Sequence, residues 1–135
     1  MISKQAEAIK QEMMQAVIRR RELLMLEDEW RDLLSVLEDA VGETAASGFV
    51  VARTINAERM QLRRTLAEAQ LRNWARITAA PLSPLQRRLL GLRYVLGCTW
   101  GDVVLRVDKA KQYLLREHNK ALELLALTAV SEAKK

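Results

Sequence analysis

Nine polar side chains in the last third of the chain have types and spacing suited to holding a polyanion. They are Arg87, Arg88, Lys109, Lys111, Gln112, Tyr113, Arg116, Asn119 and Lys120. Lys and Arg neutralise phosphate, while Arg, Gln and Asn carry the donors that read base edges in a DNA major groove. On a wheel at about 100° per residue, Lys109, Gln112, Tyr113, Arg116, Asn119 and Lys120 share one side of a helix, with Lys111 at its flank. Ala110, Leu114, His118, Ala121, Leu122 and Leu125 lie opposite and form the expected packed side. The chemistry implied is non-covalent recognition.

Covalent and acid–base chemistry has little material to work with. The chain has one His and one Cys, His118 and Cys98. That excludes a disulfide framework and a metal site of several soft ligands. His118 has no nucleophile or carboxylate spaced to work with it, so it reads as a packed framework histidine. Cys98, between Gly97 and Thr99 at a helix start, reads as a small apolar residue in a turn. No glycine-rich phosphate loop is present. The expectation is a protein that is not an enzyme and takes no cofactor or metal.

Charge distribution agrees with a polyanion partner. The net charge is +5, yet residues 1–80 hold 12 basic and 12 acidic residues, while residues 81–125 hold 8 basic and 4 acidic ones. Positive charge confined to one segment is the footprint of nucleic-acid binding. Arg19, Arg20 and Arg21 form another basic run, but Glu22, Glu27, Asp28 and Glu29 follow it, so it reads as a solvated, salt-bridged helix face.

The elements that must position these residues are helical. Ala, Leu, Glu, Lys, Gln, Arg and Met dominate, and 5 Gly and 2 Pro leave little material for turns. From Ile2 to Val41 a step of three then four residues runs through Ala6, Ile9, Met13, Ala16, Arg20, Leu23, Glu27, Trp30, Leu34 and Leu37. This is a heptad-like seam on one long helix that needs a second helix to cover it. Arg20 and Glu27 on the seam read as side chains reaching its edge, or else as a register device. GETAASG, residues 42–48, reads as the turn of a helical hairpin, with a weakened but continuous helix as the other reading. A second, arginine-rich helix follows from about Phe49 to Thr78, and some of its arginines are expected to pair with the acidic stretch Glu27 to Asp39.

Three shorter helices complete the chain. Ser83, Pro84 and Gln86 form a capping box with proline in the first turn. Leu85, Leu89, Leu92 and Leu96 then give one apolar face, stopped by Gly97. Thr99 caps a second start, Trp100, Val103, Val104 and Val107 form its buried face, and a third helix runs from about Lys109 to Leu125 or beyond. Two short helices, a tight turn and a basic third helix describe a helix-turn-helix. No apolar run approaches the roughly 18–20 residues of a membrane span, and MISKQAEAIK lacks the apolar segment of a signal peptide. With the lone Cys, this gives a cytoplasmic expectation.

Leu92 to Val103, LRYVLGCTWGDV, resembles the LRY-x-x-G-x-[ST]-W-x-x-I pattern of region 4 of bacterial sigma factors. The run His118 to Leu122, HNKAL, is similar to the ending of a narrower group of small phage- and prophage-encoded regulators. These are sigma-70 region-4-like proteins, akin to the RinA and ArpU kinds of late-gene transcription regulator. The resemblance covers about 45 residues, and the first 80 match only in layout. It implies DNA binding through the third helix, on Lys109, Lys111, Gln112, Tyr113 and Arg116, with Trp100 and His118 as framework. Such heads carry Ser or Thr capping the third helix, where this chain has Ala110. Asp108 can replace that cap if the helix begins two residues earlier.

The expected architecture is therefore all-α, with a coiled-coil-like helical hairpin over residues 1–80 and a sigma-region-4-like head over residues 81–135. The expected function is sequence-specific binding of double-stranded DNA as a phage or prophage transcription regulator. RNA polymerase is a further candidate partner, reached through Arg87, Arg88 and Arg93. A dimer is expected through the N-terminal helices, and no membrane. The other readings are a DNA-packaging protein like a small terminase subunit, and a structural oligomer without DNA binding.

Overall fold

The computed structural model describes residues 1–133 and is all-helical. Five helices follow in order: α1 (Lys4–Glu38), α2 (Gly42–Ala79), α3 (Pro84–Tyr94), α4 (Trp100–Val107) and α5 (Lys111–Ala133). None among the described residues is long and apolar enough to cross a membrane. The chain divides into two compact units, one of Met1–Val17 with everything from Glu68 onward, the other Ile18–Ala67.

In the first unit, α1 is started by Ser3. Its hydroxyl accepts from the Ala6 N–H at 3.1 Å, and its own N–H donates to Glu123 of α5 at 2.6 Å. A buried cluster collects Ala6, Met13 and Val17 of α1, Ile77 of α2, Leu90 and Tyr94 of α3, and Ala121, Leu122, Leu125 and Ala126 of α5. A second cluster joins Leu89 and Leu92 of α3, Cys98, Val103 of α4 and Leu114 of α5. Thus α3 and α5 contribute to both clusters, which fixes the roll of α5 and decides which of its side chains meet water.

The end of α3 shows how polar groups lock this packing. The last carbonyls of a helix have no partner within it. Here Asn73 of α2 donates to the Tyr94 carbonyl at 2.7 Å and to the Met13 carbonyl of α1 at 3.0 Å. Gln70 donates to the Val95 carbonyl at 2.7 Å. Gly91 of α3 lies against the Trp74 ring, 3.1 Å from where a Cβ would stand. A side chain there would force the indole aside.

In the second unit, α1 ends through N–H bonds from Asp39 and Ala40 to the carbonyls of Val36 and Leu37. The chain then reverses at Gly42, whose φ of 61° favours glycine. GETAASG is therefore helical from its first residue, and the turn falls at residues 39–41, just before it. Its two alanines and Glu43 are good helix formers, so only Gly42 serves the turn. Gly48 serves another purpose, because the Leu37 side chain occupies the place a Cβ would take. Glu27 does not reach outward from the seam. Arg59 bonds it at 2.8 Å and Arg63 at 3.0 Å, and the Arg59 guanidinium lies 4.7 Å from the centre of the Trp30 ring. These arginines hold the Glu27 carboxyl below its usual range, Arg59 first.

Candidate nucleic-acid interface

The start signals of α3 and α4 hold, but α3 ends at Tyr94, before Gly97, and Leu96 is exposed and not on its packed face. Ser83 accepts from the Gln86 N–H at 3.1 Å while the Gln86 side chain accepts from the Ser83 N–H at 3.0 Å, with Pro84 opening the helix. Thr99 accepts from the Asp102 N–H at 3.2 Å. Gln86 also donates to Glu117 of α5 at 3.1 Å, so the residue that caps α3 holds α5 against it.

The start of α5 differs from the expectation. Asp108 does not cap it. Asp108 closes α4 instead, in the left-handed conformation with φ 56° and ψ 50° and its N–H on the Val104 carbonyl. α5 begins at Lys111, and the Ala110 carbonyl accepts its first bond, from the Leu114 N–H at 3.1 Å. Ala110 is thus the cap residue, and its methyl offers no acceptor to the first turn. It is exposed instead of joining the packed face, because the helix has not yet begun there. Lys109 likewise stands in the connection, one residue before the cap.

From Lys111 onward the two faces separate. Leu114, His118, Ala121, Leu122 and Leu125 are buried. Lys111, Gln112, Tyr113, Arg116 and Lys120 are exposed, as are Lys109, Arg87 and Arg88. Gln112, Tyr113, Arg116 and Lys120 fall within an arc of about 100°, so four donors share one side of one rigid helix. Lys120 leans on Glu117 at 3.3 Å. Asn119 is half-buried, and its amide oxygen is taken by His118. Arg106, in the last turn of α4, is exposed and basic, and joins the candidate residues only once the structure is in hand. In the sequence, only its basic type in the last turn before the connection to α5 could have found it.

Arg93 is not available to an outside partner in the way Arg87 and Arg88 are. It is half-buried, donates to the Cys98 carbonyl at 2.7 Å, and lies over the Trp100 and Tyr94 rings at 5.1 and 5.8 Å. Its work is to hold the α3–α4 loop.

His118 sits beneath the polar face of α5. The Tyr94 hydroxyl and His118 Nε2 are 2.7 Å apart, and His118 Nδ1 lies 3.2 Å from Asn119 Oδ1. Because the amide oxygen can only accept, Nδ1 carries the proton and donates to it, and the Tyr94 hydroxyl donates to Nε2. The Trp100 ring meets the imidazole edge-on at 5.0 Å. Burial lowers the His118 pKa to about 4; the Asn119 bond opposes this, and the charges of Lys10 and Arg93 add to it. Burial also pushes Tyr94 up to about 12. The pair is neutral throughout the ordinary pH range and serves as a polar brace. Among the described residues, no group of three or more His, Cys, Asp or Glu side chains could hold a metal ion.

No family model matches the chain, and neither a curated protein nor a solved structure does.

Proposed function

We propose that the chain binds double-stranded DNA, with α3, α4 and α5 as a helix-turn-helix head and α5 as its reading helix. In this reading α1 and α2 form a helical hairpin that carries the head, and the protein is a transcription regulator resembling sigma region 4. The observation that carries the reading is the division of α5. Leu114, His118, Ala121 and Leu122 are buried on one side, while Gln112, Tyr113, Arg116 and Lys120 are exposed on the other. A recognition helix needs that division, since its roll must be fixed before its donors can meet base edges. Arg87 and Arg88, exposed in the first turns of α3, supply charge of the kind that fixes register on phosphates.

The test is duplex binding measured across a salt series. Log K falls linearly with log salt, and removing one phosphate-neutralising side chain makes the slope shallower by about 0.9. The double substitution Lys109→Ala with Arg116→Ala is expected to weaken binding roughly ten-fold or more and to flatten the slope. Unchanged affinity in this variant overturns the assignment. Selection from a random duplex pool then reads out the sequence preference.

A further inference from the structure

Two side-chain amides lie close to one line of α5. Gln112, Arg116 and Asn119 fall within an arc of about 60°. The two amides carry the same groups but are held differently. Gln112 is exposed, and no bond holds its side chain among the described residues. Asn119 is half-buried, and its Oδ1 lies 3.2 Å from His118 Nδ1, whose proton it accepts. Its Nδ2 has no partner among the described residues and is not buried.

What fixes this orientation starts in the core. His118 is buried, the Tyr94 hydroxyl stands 2.7 Å from its Nε2, and the Trp100 ring meets it edge-on. Donation from Tyr94 makes Nε2 the acceptor and leaves the one proton of the neutral imidazole on Nδ1. An N–H there attracts the amide oxygen and repels the amide NH2. Turning the Asn119 amide over would set two donors face to face and leave the imidazole N–H without its bond. Asn119 therefore offers outward donors alone, whereas Gln112 offers a donor and an acceptor together.

The difference has a consequence for bases, which rests on the proposed role of α5 as a recognition helix. Adenine presents an acceptor at N7 beside a donor at N6 in the major groove, so holding both takes an amide with its oxygen and its nitrogen free. Guanine presents two acceptors, N7 and O6, which suit a group that only donates. A phosphate also accepts, but Asn119 shares its line with Gln112 and Arg116, while Lys111 and Lys120 stand about 80° and 100° to either side. We propose that Asn119 is a specificity-determining residue that selects guanine over adenine, with His118 as the positioning residue that occupies its amide oxygen. Residue type alone would give an asparagine here to adenine.

The full chain is to be titrated at fixed salt with duplexes altered one base pair at a time, starting from the best sequence selected out of a random pool. Asn119→Ala is expected to relax the preference at one base pair. In the wild type that pair is expected to carry guanine, favoured over adenine by about five-fold or more. His118→Phe, checked for unchanged helical circular dichroism, frees the amide oxygen and is expected to move the preference at that pair toward adenine. Nitrogen NMR of the free wild type near neutral pH is expected to show the His118 proton on Nδ1, a readout that needs neither DNA nor a variant. A proton on Nε2 overturns the proposal. So does adenine at the pair that depends on Asn119, a folded His118→Phe that keeps the guanine preference, or an Asn119→Ala that weakens all duplexes alike, as loss of a phosphate contact would. A wild type that binds no duplex overturns the DNA reading and this proposal together, whereas one that binds without the guanine preference overturns this proposal alone.

Discussion

The two units are built from the same two long helices and differ in what those helices meet. In the unit of Met1–Val17 and Glu68 onward, α1 and α2 contribute to a core in which Ala6, Met13 and Ile77 are wholly buried. In the unit of Ile18–Ala67, only Ala52 and Leu66 are buried among the described residues, while Met25, Val36 and Phe49 are mostly exposed. Composition does not account for this, because the heptad-like seam runs through both. The difference is the number of neighbours. Two helices can cover one stripe each, whereas four or five can close a core. A continuous helix thus passes from a well-supported stretch to one held by a seam, a close approach at Gly48 and a salt bridge at Glu27.

The largest expected effect separates the units by stability. Leu122→Ala removes a wholly buried side chain shared by the first unit's helices and is expected to cost about 2–5 kcal/mol. Leu62→Ala in the second unit, at a half-buried position, is expected to cost less than about 1.5 kcal/mol. Hydrogen exchange checks both at once. Leu122→Ala is expected to speed exchange in α3, α5 and the first turns of α1, and Leu62→Ala only within residues 18–67. Equal costs would erase the contrast between the units.

The next effect is specific to the first unit and depends on pH. His118 binds its proton near pH 4 when folded and near 6.5 when unfolded. Between these values the unfolded chain holds more protons, so its stability contribution is full above pH 6.5 and is lost as pH falls toward 4. The loss totals about 3 kcal/mol. Denaturant unfolding across this range is expected to show the slope in the wild type and a much shallower one in His118→Gln. Identical slopes would place the titration elsewhere.

The smallest expected effect has the opposite sign. Ala110→Ser supplies the acceptor that the first turn of α5 lacks and is expected to stabilise the first unit by about 0.5–2 kcal/mol. Exchange in residues 18–67 is expected to stay unchanged. A loss of stability would mean that the α4–α5 connection does not tolerate a side-chain cap.

Much of the fold is legible in the sequence wherever the signal is local. The capping box at Ser83, the cap at Thr99 and the packed line Leu114, His118, Ala121, Leu122, Leu125 all depend on residues three or four apart, and each is present in the structure. The turn before α2 falls a few residues earlier than the sequence suggests, because Gly42 and Gly48 look alike in sequence. One reverses the chain at positive φ, and the other makes room for Leu37. The candidate interface is legible in outline. Arg93 and Asn119 carry the right groups, yet each is drawn into the packing by a partner that residue type alone does not reveal.

By itself, then, the amino-acid sequence determined an all-helical chain, the starts of α3 and α4, the buried line of α5 and the concentration of positive charge around it. These follow from propensity, capping and periodicity, which act over one or two turns. Only the tertiary structure decided that Asp108 ends α4 and leaves Ala110 as the bare cap of α5. It alone placed Asn73 on the carbonyls of Met13 and Tyr94, and Ser3 on Glu123. Those bonds join groups 21 to 120 residues apart. A buried polar side chain must find whatever partner the folded chain brings beside it, and spacing along the chain does not encode which one that is.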